Sequence, residues 1–437
     1  MSIQLGTDQT PGGAQSHPEM KLSLKTVGGK SLLYLCSQAA AKGFYLLTMV
    51  YLARKMGADL YGRFAFGFAL VTVLSVITKF GIDLLISRDV AETREKAAGH
   101  LMSGIFLRFI LSVVFLIVIY GVLLVMKKPP DVNELVLLLA LATIFQSFAG
   151  TFTALFEAHQ FFGYRSFFNV LLYASLFGTL AIAFHWKPAL TTVGLSFLGV
   201  SFSYLLVAAF LCHRKITKFS ARIDRTLAWS FFLAAFPLGL SDFFVSIYYR
   251  FDTVLLSWFQ NDHIVGWYDS AYSFVYGLRL LPNTVIIVLL PALSSRLRVN
   301  KSDAISLYRT ILKYSLSVGL FLILLVATNS RQLIGLIYGS GYLPASAVLP
   351  LLAWACAIMF VGGFQGMFLI VLERRKVFLL ATSIGAISNI VFNLILIPKW
   401  SMTGAAISTL ASELLVFLIC FKNLLDVQPL SNFIKDM

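Results

Sequence analysis

The chain has 437 residues, of which 58% are hydrophobic and only 13% are charged. A soluble domain carries about a quarter charged residues, so this composition excludes one and indicates a chain that crosses a membrane many times. The net charge of +15 does not imply a nucleic-acid partner, because the basic residues lie in short loops between apolar runs.

Residues 1–29 are polar and read as a disordered cytoplasmic tail. They do not make a signal peptide, since the first apolar run begins near Leu32 and carries Lys42 where a cleavable core would be uncharged. From there the pattern predicts an all-α fold of about twelve transmembrane helices, each near the roughly 20 residues a bilayer requires. They are expected at 32–53, 64–86, 101–126, 134–157, 166–186, 189–212, 228–259, 264–293, 309–328, 346–372, 377–397 and 402–421. Six fall in an N-terminal half, 30–222, and six in a C-terminal half, 223–425. A second cytoplasmic tail is expected at 426–437.

The basic residues orient this layout. With the N-terminus inside, 22 lie on the inner side and 8 on the outer. That bias predicts both termini in the cytoplasm. Trp186, Trp258, Trp267 and Trp400 fall at predicted outer ends, as an interfacial aromatic belt would. The four cysteines, Cys36, Cys212, Cys356 and Cys420, lack metal spacing and fall in or beside apolar runs. There is no P-loop, zinc spacing, Rossmann glycine pattern or nucleophile elbow, so the pattern predicts a non-enzyme without a cofactor or metal.

An internal repeat relates the halves. Leu60-Tyr61-Gly62-Arg63-Phe64 is similar to Ile264-Val265-Gly266-Trp267-Tyr268, at an offset of 204. Gly150 to Glu157 is similar to Gly366 to Glu373, at an offset of 216. Two halves of like orientation predict a site between them near the midplane.

Charges inside the spans are the candidates for function, because each costs about 2.5–3.5 kcal/mol at mid-membrane on insertion scales. In the first half Tyr34, Gln38, Lys42 and Tyr45 share a helix face, as do Thr72, Ser75, Lys79 and Asp83. Lys42 has no acid on its own helix, which makes it a candidate for an external anion. Lys79 and Asp83 are spaced to neutralise each other as an i,i+4 pair. Arg108 is placed either to snorkel to the inner interface or to face the interior. In the second half Asp269, Tyr272, Tyr276, Arg279 and Asn283 form one stripe, and Asp242, Ser246, Tyr249 and Thr253 another. Pro237, Gly239, Pro282 and Pro291 are expected to kink these two helices. Arg250 admits three readings: a pair with Asp252 or Asp242, an outer gate, or a cargo contact. Glu413 is a candidate titrating site or a polar helix contact, and Asn389 and Asn393 read as interhelical hydrogen bonders.

Several blocks resemble a known family. They are Ala58-Asp59-Leu60-Tyr61-Gly62-Arg63-Phe64, Phe80-Gly81-Ile82 and Ser87-Arg88-Asp89-Val90-Ala91. Further on come Tyr249-Arg250-Phe251-Asp252, Val265-Gly266-Trp267-Tyr268 and Leu290-Pro291-Ala292-Leu293-Ser294. Then follow Tyr338-Gly339, Tyr342, Asn389, Asn393, Ile397-Pro398 and Gly404-Ala405-Ala406. Their order and spacing over about 30–425 resemble the polysaccharide transporters of the O-antigen flippase type, within the multidrug/oligosaccharidyl-lipid/polysaccharide exporter superfamily. The resemblance implies a bacterial plasma-membrane flippase that moves a polyprenyl-pyrophosphate-linked oligosaccharide between leaflets by alternating access. It implies membrane lipids, a polysaccharide polymerase and chain-length proteins as partners. Lys42, Arg279, Tyr276, Gln38 and Arg250 are the expected cargo contacts. Asp83, Lys79, Asp252, Asp269 and Glu413 are expected either to couple a proton or sodium ion or to form structural pairs. The competing expectation is a cation-coupled multidrug antiporter of the same superfamily, whose cavity should favour acids.

Overall fold

The computed structural model describes residues 24–186, 188–217, 224–278 and 280–425. Within them the chain is helical, in the order α1 (Leu24–Leu74), α2 (Val76–Lys79), α3 (Ile82–Glu92), α4 (Ala97–Met126), α5 (Pro130–Ala158), α6 (Phe162–Trp186) and α7 (Leu190–Lys215). There follow α8 (Arg225–Phe259), α9 (Asp262–Leu278), α10 (Leu280–Val299), α11 (Lys301–Thr328), α12 (Ser330–Tyr338), α13 (Leu349–Val371) and α14 (Arg375–Leu425).

Nine segments among the described residues are long and apolar enough to cross a membrane. Two of them cross twice. Straight, the 51 residues of α1 would span about 76 Å, against a hydrocarbon core of about 30 Å. Gly57 interrupts α1 at φ 73°, ψ 171°. The rings of Tyr45 and Phe68, on opposite sides of that break, lie 6.3 Å apart, so α1 is a hairpin. Likewise α14 breaks at Ser401 (φ 52°) and doubles back until a Cβ on Gly385 would strike Val416. The α9–α10 pair supplies one further traversal. Twelve traversals result, six before residues 218–223 and six after, as the sequence predicts.

The second traversal is itself broken, at Phe80 (φ 41°) and Gly81 (φ 69°), between α2 and α3. The break fits against α8 beside Pro237: a Cβ on Gly81 would lie 2.9 Å from Leu238, and one on Gly239 would lie 2.7 Å from the Phe80 ring. Phe80 also stacks on Phe232, with centroids 5.5 Å apart.

The repeat seen in the sequence is a contact in the fold. A Cβ on Gly62 would fall inside the backbone carbonyl of Asp262, and one on Gly266 inside that of Ala58. Both pairs are related by the same offset of 204, so the contact is reciprocal about a local two-fold axis. Small residues four apart let two helix backbones touch in this way.

Around this crossing one apolar core runs through both halves, from Met49 and Phe64 to Tyr268 and Leu349. Toward the opposite face the core divides. One part lies in α3, α4, α5 and α7 with the start of α8, the other in α10, α11, α13 and α14. The halves are therefore joined at the Gly57 face and diverge away from it, except that the start of α8 stays packed on the N-terminal half.

Gly57 has open space around its missing Cβ, so its role is conformational. Its φ and ψ lie in a region that only glycine occupies readily, and a side chain there costs about 1–3 kcal/mol. Gly57→Ala is expected to lower the thermal unfolding midpoint of the purified protein. Gly99→Ala, at an uncrowded helical position, should hold or raise it.

Candidate functional site

Beneath the Gly57 face lies a cavity of about 590 Å³, walled by the N-terminal half and by α8 and α9. Among the described residues Lys42, Lys79 and Arg250 line it, with no Asp or Glu in the wall. From the helix rise, Arg250 lies about 15 Å, Lys42 about 22 Å and Lys79 about 33 Å from that face. The cations are thus spread along the depth of the cavity. Thr72, Gln146, Ser246 and Ser273 add polar groups, and Tyr173, Tyr249 and Tyr276 add aromatic ones.

Arg250 is the most constrained of the three. Its Nη1 donates to Asp269 Oδ1 at 2.8 Å and its Nη2 to the Tyr45 hydroxyl at 3.0 Å. The guanidinium lies over the rings of Phe68, Tyr272 and Tyr276, 5.5–5.8 Å from their centroids. Asp269 also accepts from Tyr61 Oη at 2.9 Å and from Ser273 Oγ at 3.2 Å. A buried ion pair is tolerated only when its remaining donors and lone pairs are satisfied like this. The partner is Asp269, and neither Asp252 nor Asp242. Asp252 accepts from the Tyr268 hydroxyl and from the Thr253 amide, and stays buried away from the cavity.

Lys42 is half-buried and, among the described residues, makes no hydrogen bond or ion pair. Lys79 is exposed toward the cavity. The break at Phe80 and Gly81 removes the i,i+4 geometry expected for Lys79 and Asp83. Asp83 instead pairs with Arg108 at 2.5 Å. Arg108 is fully buried, so it faces the interior and does not snorkel. Gly150 makes room for this pair, since a Cβ there would lie 2.9 Å from both Arg108 Nη1 and Asp83 Oδ2. Gln38 is half-buried one turn along α1 from Lys42 and outside the wall. Arg279 lies outside the described residues. Asn393 donates to Asn389 at 2.9 Å, both buried. Glu413 lines a second cavity of about 340 Å³ in the C-terminal half, beside Tyr248 and over Gly362, Gly363 and Gly366 of α13. Val245 and Tyr249 line both cavities.

The Gly57 face is sealed by groups that sequence reasoning left unassigned. Arg54 donates to the carbonyls of Leu336 and Ile337 at the end of α12, where a helix dipole favours a cation. The Tyr342 hydroxyl donates to the Ala53 carbonyl at 2.8 Å, and Trp267 Nε1 to that of Gly341 at 2.9 Å. Arg63 meets Asp59, Asp131 and Asp262 at 2.9–3.2 Å. Lys128 Nζ donates to the Ser257 carbonyl at 2.6 Å. Burial pulls the Lys128 ammonium below its ordinary pKa, and Asp262 partly opposes that. Between α12 and the 3₁₀ segment Ser340–Ala347 the chain turns at Gly339 (φ 97°).

The polysaccharide biosynthesis protein family matches residues 27–297, more than half of the chain. The chain belongs to this family. It is 22% identical over 413 residues to a protein described as an O-antigen transporter in Escherichia coli K12, covering 91% of this chain and 95% of that one. It is also 22% identical over 401 residues to a protein described as a low-salt glycan biosynthesis flippase, Agl15, in Haloferax volcanii, covering 90% and 81%. In fold it resembles the lipid II flippase MurJ in an inward closed conformation, with a TM-score of 0.71 at 16% identity over 92% of this chain and 89% of that one. An inward-facing multidrug transporter of the MOP superfamily gives a TM-score of 0.69 at 13% identity over 90% and 98%.

This family member is a multi-pass membrane transporter of the flippase type. Chemically its cavity can hold an anion, since Lys42 and Lys79 face it without a bonded carboxylate and Arg250 closes its deep end. Among the described residues no group of His, Cys, Asp and Glu could hold a metal ion.

The two acid-base neighbours of the second traversal should respond differently to mutation. Asp83→Ala leaves Arg108 buried and uncompensated, a loss of about 3–5 kcal/mol for a buried pair. It should lower the thermal midpoint by several degrees. Lys79→Ala removes a cavity-facing charge and should leave the midpoint within a degree or two, about the ±0.5 kcal/mol range of ordinary surface changes.

Proposed function

We propose that this transporter moves a polyprenyl-pyrophosphate-linked oligosaccharide from the inner to the outer leaflet of a bacterial plasma membrane, for surface polysaccharide synthesis. The observation that carries the reading is the wall of the larger cavity, with three cations at different depths and no carboxylate. A pyrophosphate and any acidic sugars supply the complementary charge, and the threonine, serine, glutamine and tyrosine side chains suit hydroxyl-rich sugars. A cavity for cationic drugs would need the opposite sign, which favours the flippase over the multidrug antiporter that shares the fold. The names of the relatives agree with a glycan cargo.

The direction of opening supports the same reading. The halves meet at the Gly57 face and part on the other, where the basic loops cluster. With both termini cytoplasmic, the cavity faces inward and stands ready for cargo made in the cytoplasm. Rocking of the halves about the crossing would present it to the outer side. Asp252 and Asp269 are committed to internal partners. Glu413, and Asp83, which pairs with Arg108 but keeps part of its side chain exposed, are the carboxylates that a coupling proton or sodium ion would reach. A polysaccharide polymerase and chain-length proteins would act on the cargo after release.

The test is translocation of undecaprenyl-pyrophosphate-linked oligosaccharide in proteoliposomes, with Lys42→Ala as the main variant. Among the described residues Lys42 has no hydrogen-bond or ion-pair partner to lose, so its effect on stability should be small. Its effect on translocation should be about tenfold or more, equivalent to about 1.4 kcal/mol. Arg279→Ala should behave alike. Wild-type rates in both variants, with normal membrane insertion, would remove the site assignment. Export of a cationic dye in place of the lipid would move the protein to the antiporter class.

A further inference from the structure

Arg250 belongs to the cavity and to the seal at once. On one side it is the cation nearest the closed face. On the other it holds Asp269, and Asp269 holds Tyr61. Tyr45 and Tyr61 lie on the two arms of α1, in the N-terminal half. Arg250 and Asp269 lie on α8 and α9, in the other half. Two hydrogen bonds therefore cross between the halves in this layer, Tyr45 to Arg250 and Tyr61 to Asp269. Both depend on the same ion pair.

We infer that an anionic group arriving on the cavity side of Arg250 unlocks the closed face by competing with Asp269 for the guanidinium. This rests on the anionic cargo proposed above and gives that site a second role, as the trigger for opening.

The competition follows from the chemistry of the pair. A guanidinium has five N–H donors in one plane, so it can begin to bind an incoming anion before it releases its first partner. While it does so, two negative groups share one positive charge in a site with little water, and like charges there disfavour each other strongly. Phe68, Tyr272 and Tyr276 flank the guanidinium and limit its movement to a turn toward the cavity or toward Asp269. A turn toward the cavity, which Tyr45 also lines, leaves Asp269 without its cation. The hydrogen bond from Tyr61 then has to hold a buried, uncompensated carboxylate, an arrangement that favours separation of the halves and entry of water.

The layers above add cross-half bonds of their own, Arg63 to Asp262, Lys128 to the Ser257 carbonyl and Tyr342 to the Ala53 carbonyl, and these must part after the Arg250 layer. At the crossing itself, Gly62 and Gly266 have no side chains to interlock. Arg54, at the surface, is exposed, and its bonds to carbonyls exchange with water at small cost. A ligand shifts a conformational balance only by its difference in affinity for the two states. Here the difference comes from water: opening the face hydrates Asp269, whose charge then opposes the anion less than it does in the closed, dry layer. By reciprocity, opening the face raises the affinity for the anion.

The experiment uses the full-length protein in nanodiscs, with inorganic pyrophosphate as the probe. Spin labels are placed at Trp186→Cys and Arg331→Cys, exposed positions on opposite halves of the closed face. Cys36, the exposed native cysteine, is replaced by Ser. Pyrophosphate should lengthen the interlabel distance. Tyr61→Phe, which removes one cross-half bond and retains the ion pair, should show a longer-distance population without ligand. Asp269→Asn should bind pyrophosphate about fivefold tighter or more, the lower end of typical coupling factors. Binding of pyrophosphate with the distance unchanged would overturn the inference and leave the anionic cavity standing. Unchanged or weaker affinity in Asp269→Asn would overturn it too. If wild-type protein does not bind pyrophosphate at all, the inference and the proposed cargo fall together.

Discussion

At Gly62 and Gly266 two helices approach until the backbone of each rests on the other, and the rest of the molecule is arranged about that point. Close approach of this kind requires a missing side chain on both partners. It is reciprocal, Gly62 over Asp262 and Gly266 over Ala58, because the same segment occurs once in each half. Everything on the near side of the crossing is drawn into one core. On the far side the helices diverge, and a single core cannot follow them. The cavity is the space that this divergence opens.

The second constraint is the cost of charge in a low-dielectric layer. The chain meets it in two ways, and the two can be told apart by their surroundings. Arg108 with Asp83, and Arg250 with Asp269, are neutralised inside the protein. Lys42 and Lys79 are left to a cavity. A cation that faces a cavity without a carboxylate is stable only while water or a ligand anion reaches it. Among the described residues Arg250 alone both lines the cavity and is paired inside the protein, and so it links the contents of the cavity to the packing of the closed face.

The sequence conveyed a good deal of this. The number of traversals, the two halves and the relation of residues 60–64 to 264–268 could be read from apolar runs, loop charge and a short repeat. Lys42 was identified as a cavity cation because no acid shared its helix. Pairings between helices could not be read in this way. The spacing of Lys79 and Asp83 suits a salt bridge on a continuous helix, but the helix breaks between them at Phe80 and Gly81, and the ion pair that Asp83 makes is with Arg108. Arg250 stands beside Asp252 in the sequence, yet on a helix they project in different directions. The turn between α8 and α9 brings Asp269 to it across 19 residues. The role of Tyr61 had one visible sign, its place inside the repeated block. Arg54 had none, since its acceptors are backbone carbonyls that any residue would supply.

Val245 and Tyr249 have a cavity on either side of them. Between the cationic chamber and the apolar one, α8 is therefore a partition only a side chain thick. The two compartments differ in character, one suited to sugars and phosphates and the other, with its glycine-floored wall on α13, to hydrocarbon. The Val245 and Tyr249 side chains of α8 belong to the walls of both. A change at either residue therefore alters the room in both compartments at once.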